Sequence, residues 1–218
     1  MSYVLAAIIL ILAYIVWCKN MLPETPKMFV DDFCQIAKQG DLIFLCEDCA
    51  KVPYVIQDCI SHVGIVLQYC CELFYFDISL IFRCYYGRTS HLKEVNFCPL
   101  KTKLCNFRGV AFVKRLCHNV SQIDPMPFVQ FAQNNLEYDH NLFLTALLKV
   151  FGKKNNSRFK NCGELIIDML IYLQILKKTV VSNSIVNPLK YLQNIPKHDY
   201  VATNCSYENF IELMLKFY

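Results

Sequence analysis

Cys162 carries the most suggestive chemistry in the chain. It sits in Asn161-Cys162-Gly163-Glu164-Leu165, at the head of an apolar-striped segment. Asn161 suits a helix N-cap, and Glu164 lies three residues on, where a carboxylate reaches back to the cap amide. The spacing predicts a helix over Cys162–Leu176, with Cys162, Leu165, Ile166, Met169, Leu170, Leu173 and Leu176 forming one stripe toward the core. Cys162 is then the first helical residue, where unpaired amides and the helix dipole favour negative charge. A cysteine nucleophile needs such a setting. The same local pattern equally describes a buried core cysteine.

A nucleophile needs a base, and His62 is the candidate. In Ser61-His62-Val63-Gly64-Ile65-Val66, strand alternation puts His62, Gly64 and Val66 on one face and Val63, Ile65 and Leu67 on the other. A base also needs a third polar group to fix its tautomer. Asp77 closes the aromatic run Phe74-Tyr75-Phe76 on the next predicted strand, and pairing around the short connection at Cys70–Glu72 brings it toward His62. A lone histidine on an apolar strand also serves as a structural residue.

A rival reading claims His62 as a metal ligand. Cys46-x-x-Cys49 and Cys59-x-x-His62 form two ligand pairs of zinc-site spacing. Cys46, Cys49, Cys59 and His62 would make the chain a zinc-binding structural or interaction module.

The elements that must position these groups follow from the apolar pattern. Helical spacing runs over Phe29 to Lys38, Phe128 to Leu136, Asn141 to Phe151, Val186 to Leu192 and Tyr207 to Phe217, and Val52 to Ile60 opens with Pro53 near its first turn. Strands are expected at Leu42 to Cys46, His62 to Tyr69, Leu73 to Phe82 and Gly109 to Leu116. Gly152 to Lys160 reads as a polar loop. A strand cluster followed by a helix cluster implies an α+β class.

Composition narrows the class further. With 55% hydrophobic and 18% charged residues in 218, the chain is no disordered segment and has a sizeable core. A net charge of +4, scattered and without a long basic run, argues against a nucleic-acid surface. Thirteen cysteines, an odd number at irregular spacing, do not read as a secreted disulfide scaffold. Mostly free thiols in a reducing compartment are expected. Tyr3 to Cys18 carries no charge and as a helix spans about 24 Å, enough for a short bilayer anchor. No small-residue cleavage pattern follows it; Trp17 beside Lys19 suits the membrane interface. The positive-inside rule then places the body in the cytosol. The domain reading is an anchor over 1–19, a linker and lead-in helix over 20–39, and a folded domain over 40–218.

In combination these pieces resemble the permuted branch of the NlpC/P60-like, papain-like superfamily, which includes YiiX-type and poxvirus members. In that branch the histidine strand precedes the cysteine helix. Gly40-Asp41-Leu42-Ile43-Phe44 resembles its opening motif, and Ser61-His62-Val63-Gly64-Ile65-Val66 its histidine motif. Pro99-Leu100, the strand ending in Arg115-Leu116, Tyr138-Asp139 with Phe143, and Asn161-Cys162-Gly163-Glu164-Leu165 resemble further elements in the same order. Gly163 stands where the family usually has Ser, Asp77 where Glu is commoner, and Leu80 to Asn96 matches nothing in it. The low-glycine, Asn- and Ile-rich, Cys-heavy composition agrees with a viral source.

The resemblance implies a circularly permuted papain-like fold, with an antiparallel sheet packed on the nucleophile helix. It implies Cys162 as nucleophile, His62 as base, Asp77 as third residue, and Tyr138 as an aid to oxyanion or substrate binding. No cofactor or resident metal is implied. The expected substrates are acyl lipids or peptide and isopeptide amides, handled by a membrane-anchored thiol hydrolase or acyltransferase. An inactive relative that binds a partner or lipid would carry the same fold.

Overall fold

The structure is a computed structural model. It describes residues 25–46, 60, 62–85, 88–118, 123–138 and 159–214, with the backbone alone at 79–85, 88–94, 137–138, 159–160 and 183. The strands are β1 Lys27–Phe29, β2 Leu42–Cys46, β3 His62–Tyr69, β4 Glu72–Tyr85, β5 Arg88–Pro99, β6 Val110–Lys114, β7 Glu137–Tyr138, β8 Phe159–Lys160 and β9 Ile211–Met214. The helices are α1 Val30–Ile36, α2 Leu100–Asn106, α3 Met126–Asn135, α4 Cys162–Tyr172 and α5 Pro188–Gln193. Seven strands form one sheet in the order β1-β9-β6-β2-β3-β4-β5, while β7 and β8 pair separately. The class is α+β, as expected. The sheet, however, is mixed: β1 runs parallel to β9, and the other pairs are antiparallel.

Strand alternation divides the core in two. Leu42, Phe44, Val63, Ile65, Leu67, Phe76 and Phe112 face a cluster with Leu165, Ile166, Met169 and Leu170 of α4. Ile43, Leu45, Val66, Tyr75, Ala111 and Val113 face a second cluster with Val30 and Phe33 of α1 and Leu100 and Leu104 of α2. The sheet is thus covered by helices on both faces, which explains the near-continuous burial of β2 and β3.

The Gly40-Asp41 pair is a joint. Gly40 takes a positive φ of 97°, open to glycine without strain. Asp41 is fully buried, and its Oδ1 accepts the Leu116 amide at 2.8 Å and its Oδ2 the Lys38 amide at 3.1 Å. Burial pushes its carboxyl up to about 6, against the pull of those two amides. Tyr207 donates its hydroxyl to the Gly40 carbonyl at 2.7 Å. These bonds hold the start of β2 against the chain beyond β6.

Several sequence expectations change here. The helix expected over Tyr207 to Phe217 is replaced at Ile211–Met214 by strand β9, which fills the gap between β1 and β6. A short apolar run has no fixed preference, and two waiting strand edges decide it. The helix at Cys162 ends at Tyr172 rather than Leu176, with Gln174 at φ 58° turning the chain. Lys27–Phe29, read as linker and lead-in, is an edge strand of the main sheet. Cys70 and Cys71 form an exposed hairpin turn with φ of 47° and 65°. The expected helices at Val52 to Ile60 and Asn141 to Phe151 lie outside the described residues, apart from Ile60. So does the anchor segment. Among the described residues, no helix is long and apolar enough to cross a membrane.

Candidate active site

Alternation along β3 and β4 puts His62 and Asp77 on the face covered by α1 and α2, together with Gly64, Val66 and Tyr75. The Cys162 helix packs on the opposite face. The groups meet because β3 and β4 part. Their ladder runs only from Tyr69–Glu72 to Ile65–Phe76. Beyond it β3 continues to His62 and β4 to Tyr85, each pairing with its other neighbour. At this seam, side chains from the two faces come within reach of one another.

Helix α4 begins as its sequence predicts. The Asn161 side chain accepts the Glu164 amide at 2.9 Å, and the Glu164 carboxylate accepts the Asn161 amide at 3.0 Å. This capping box fixes Cys162 at the first helical position. Gly163 has a separate reason to be glycine: a Cβ there would stand 2.7 Å from Pro188 Cβ and 3.1 Å from the Leu189 nitrogen. The start of α5 closes directly over the residue that follows the thiol. A serine, usual in the resembled family, has no room.

His62 Nε2 lies 2.6 Å from Asp77 Oδ2. Cys162 lies close enough to the imidazole for its charge to act on it. Burial pulls the His62 pKa down, but the charges and hydrogen bonds of Cys162 and Asp77 outweigh it and push it up to about 10. Asp77 is fully buried, which favours its neutral form. The His62 charge and hydrogen bond, with Lys103 and Asn96, overcome that and hold its carboxyl below the ordinary value. Cys162 is 4% exposed as a residue and the His62 side chain 13%.

Gly64 makes room for the ring of Tyr75; a Cβ on it would collide with that ring's Cε2 and Cζ. The Tyr75 hydroxyl is buried and faces Asp77 without reaching hydrogen-bonding geometry. Burial first, then the Asp77 charge, raises it well above the ordinary phenol value.

Of the sequence-selected residues, Cys162, His62 and Asp77 lie together. The Tyr138 backbone lies on β7, opposite Lys160, two residues before Cys162; its hydroxyl falls outside the described side chains. Of the four zinc candidates, Cys49 and Cys59 lie outside the described residues. Cys46 is disulfide-bonded, and His62 meets Asp77. Eight further cysteines, Cys162 among them, are free. Among the described residues no group of three or more His, Cys, Asp and Glu side chains has metal-binding geometry.

Two contributors were not selected from sequence. Asn96 stands opposite Asp77 in the β4–β5 ladder and donates from Nδ2 to Asp77 Oδ1 at 2.5 Å. Lys103 of α2 places Nζ 3.8 Å from Asp77 Oδ2 and 4.9 Å from the Tyr75 ring centroid. The signal for Asn96 was the hairpin centre: closure of Tyr85 on Arg88 puts 77 against 96. No family model matches the chain, and no curated protein matches it in sequence.

Proposed function

We propose that the chain is a cysteine hydrolase or acyltransferase of permuted papain-like type, with Cys162 as nucleophile, His62 as base and Asp77 as the group that orients the base. One observation carries the reading: an imidazole at a strand head meets a buried carboxylate through Nε2 at 2.6 Å and lies within electrostatic reach of a thiol at a helix N-terminus. Nucleophile, base and orienting group are the parts that covalent acyl transfer requires.

The chemistry follows from those roles. His62 stands beside Cys162 as the imidazolium at neutral pH, and the sulfur attacks an ester or amide carbonyl. The oxyanion forms beside the first-turn amides of α4, which lack intrahelical acceptors. His62 returns the proton to the departing alcohol or amine, leaving a thioester on Cys162. Water or another nucleophile then gives its proton to His62, attacks the thioester and releases the acyl group with the free thiol. Asp77 keeps the imidazole in one orientation through both halves.

The order of the histidine strand before the cysteine helix, the Gly-Asp joint and the capping box all accord with the permuted fold. The uncharged Tyr3–Cys18 segment, read as a membrane anchor, favours acyl lipids or lipidated proteins over soluble peptides. The deciding experiment offers a fluorescent acyl lipid and a peptide amide side by side to the full chain, with Cys162→Ala as control, and labels it with a thiol-reactive acyl probe. Turnover of either substrate and labelling at Cys162, both abolished in Cys162→Ala, are expected. A chain that turns over neither and labels no faster at Cys162 than at exposed Cys105 is an inactive relative.

A further inference from the structure

We infer that Asn96 and Lys103 are positioning residues for His62 and act through Asp77: Asn96 fixes the rotation of the carboxylate, and Lys103 keeps it ionised. The inference rests on the proposed cysteine chemistry and extends it to a layer behind the three central residues.

The two carboxylate oxygens have separate tasks. Oδ1 accepts from Asn96 at 2.5 Å, while Oδ2 accepts from His62 at 2.6 Å. A carboxylate held at one oxygen has a defined direction for the other. Without Asn96 the Asp77 side chain is free to turn, and the imidazole loses the partner that fixes its tautomer. Asn96 reaches Asp77 from a directly opposed position on a neighbouring strand, so the bond is set by backbone register.

Lys103 meets a different need. Asp77 is at 0% exposure, and desolvation there favours the protonated acid. A protonated Asp77 donates instead of accepting and cannot hold the Nε2 proton. During the reaction His62 alternates between charged and neutral forms, so it cannot by itself keep Asp77 ionised throughout. The Lys103 ammonium stands 3.8 Å from Oδ2, the oxygen that also meets His62, and takes no part in the proton transfer. Its seat over the Tyr75 ring holds it there. The groups facing Asp77 are therefore His62 from β3, Tyr75 from β4, Asn96 and Cys98 from β5, and Lys103 from α2, with Cys162 of α4 beyond His62. Among them Lys103 alone is a cation that takes no part in the proton transfer.

The test measures alkylation of Cys162 by iodoacetamide across pH on the full chain, read by peptide mass spectrometry, with melting temperature followed in parallel. Asn96→Ala is expected to slow alkylation at neutral pH about tenfold, the loss of one charge-assisted hydrogen bond. Asn96→Thr, which restores a donor at a strand-compatible residue, recovers most of the rate. Lys103→Met moves the acid limb of the profile upward by about one pH unit, because Asp77 keeps its proton to higher pH. Lys103→Arg retains the wild-type profile. A melting temperature that falls in Asn96→Ala while the rate holds shows a merely structural asparagine and overturns the inference. A Lys103→Met profile superimposable on wild type does the same for the lysine. If wild-type Cys162 reacts no faster than Cys162 in His62→Ala, the cysteine chemistry itself fails and the inference falls with it.

Discussion

Replacing Asp77 by Asn leaves the shape of the side chain and removes its charge, which makes it a sharp probe of the seam between β3 and β4. The His62 pKa stands at about 10 against an ordinary 6.5, with Cys162 and Asp77 opposing the effect of burial. A folded value above the unfolded one means that protonation of His62 favours the fold. That contribution is complete below pH 6.5 and is lost as pH rises through about 10. The Asp77 share comes through one short, buried, charge-assisted bond at 2.6 Å. A hydrogen bond to a charged group contributes about 1.5–3 kcal/mol, equivalent to about one to two pH units. The expected result is a wild-type stability that falls across this interval and an Asp77→Asn variant that falls less, by about 1.5–3 kcal/mol. Near neutrality the variant is the less stable of the two, and the curves approach one another toward alkaline pH. Urea unfolding of the full chain in mild detergent under argon, followed by circular dichroism at a series of pH values, supplies both curves. Thiols and tyrosines remote from Asp77 titrate equally in both proteins and cancel in the difference, whereas Tyr75 and Cys98 feel its charge directly. Parallel curves for wild type and Asp77→Asn would refute the reasoning, because Asp77 would then contribute nothing to the protonation of His62.

Other outcomes follow from the packing around the site. Gly163→Ser pushes a side chain against Pro188 and the Leu189 backbone, with Cβ contacts of 2.7 and 3.1 Å, and should cost about 1–3 kcal/mol in thermal unfolding. An unchanged melting temperature there would mean that α5 moves aside freely. Replacing Cys70-Cys71 by Asn-Gly suits the φ values of 47° and 65° in the turn and should stabilise the chain by about 1–2 kcal/mol; a loss of stability would show that the two cysteines make contacts of their own. Asp41, raised by burial from 3.8 to about 6, binds its proton more tightly in the folded chain. Stability should therefore fall as pH rises from 3.8 to about 6 and then level off. In Asp41→Asn that slope, worth up to about 3 kcal/mol, disappears; a variant that tracks wild type across the interval would assign the slope to other carboxyls.

What the sequence revealed and what it hid have physical causes. Cys162, His62 and Asp77 are legible because each sits in a local pattern: a capped helix start, a strand head and the end of an aromatic run. The Asn161–Glu164 capping box forms as its residue spacing implies. Asn96 and Lys103 were hidden because their part depends on register and on the packing of α2, not on neighbouring residues. The short segment Leu100–Asn106 has no side-chain cap to announce it. Ile211–Met214 departs from its helical pattern for a related reason: its state is chosen by β1 and β6, far away in sequence. The parting of β3 and β4 is a property of pairing that no single strand reveals.

That parting ties reactivity to complete assembly. His62 and Asp77 belong to the half of the interior built around α1 and α2, and Cys162 to the half built around α4. A molecule with only one half consolidated would still give helix and strand signals, yet its sulfur would lack a neighbouring ring. The onset of rapid thiol labelling during refolding should therefore lag behind the recovery of secondary structure and mark the moment when both halves have locked.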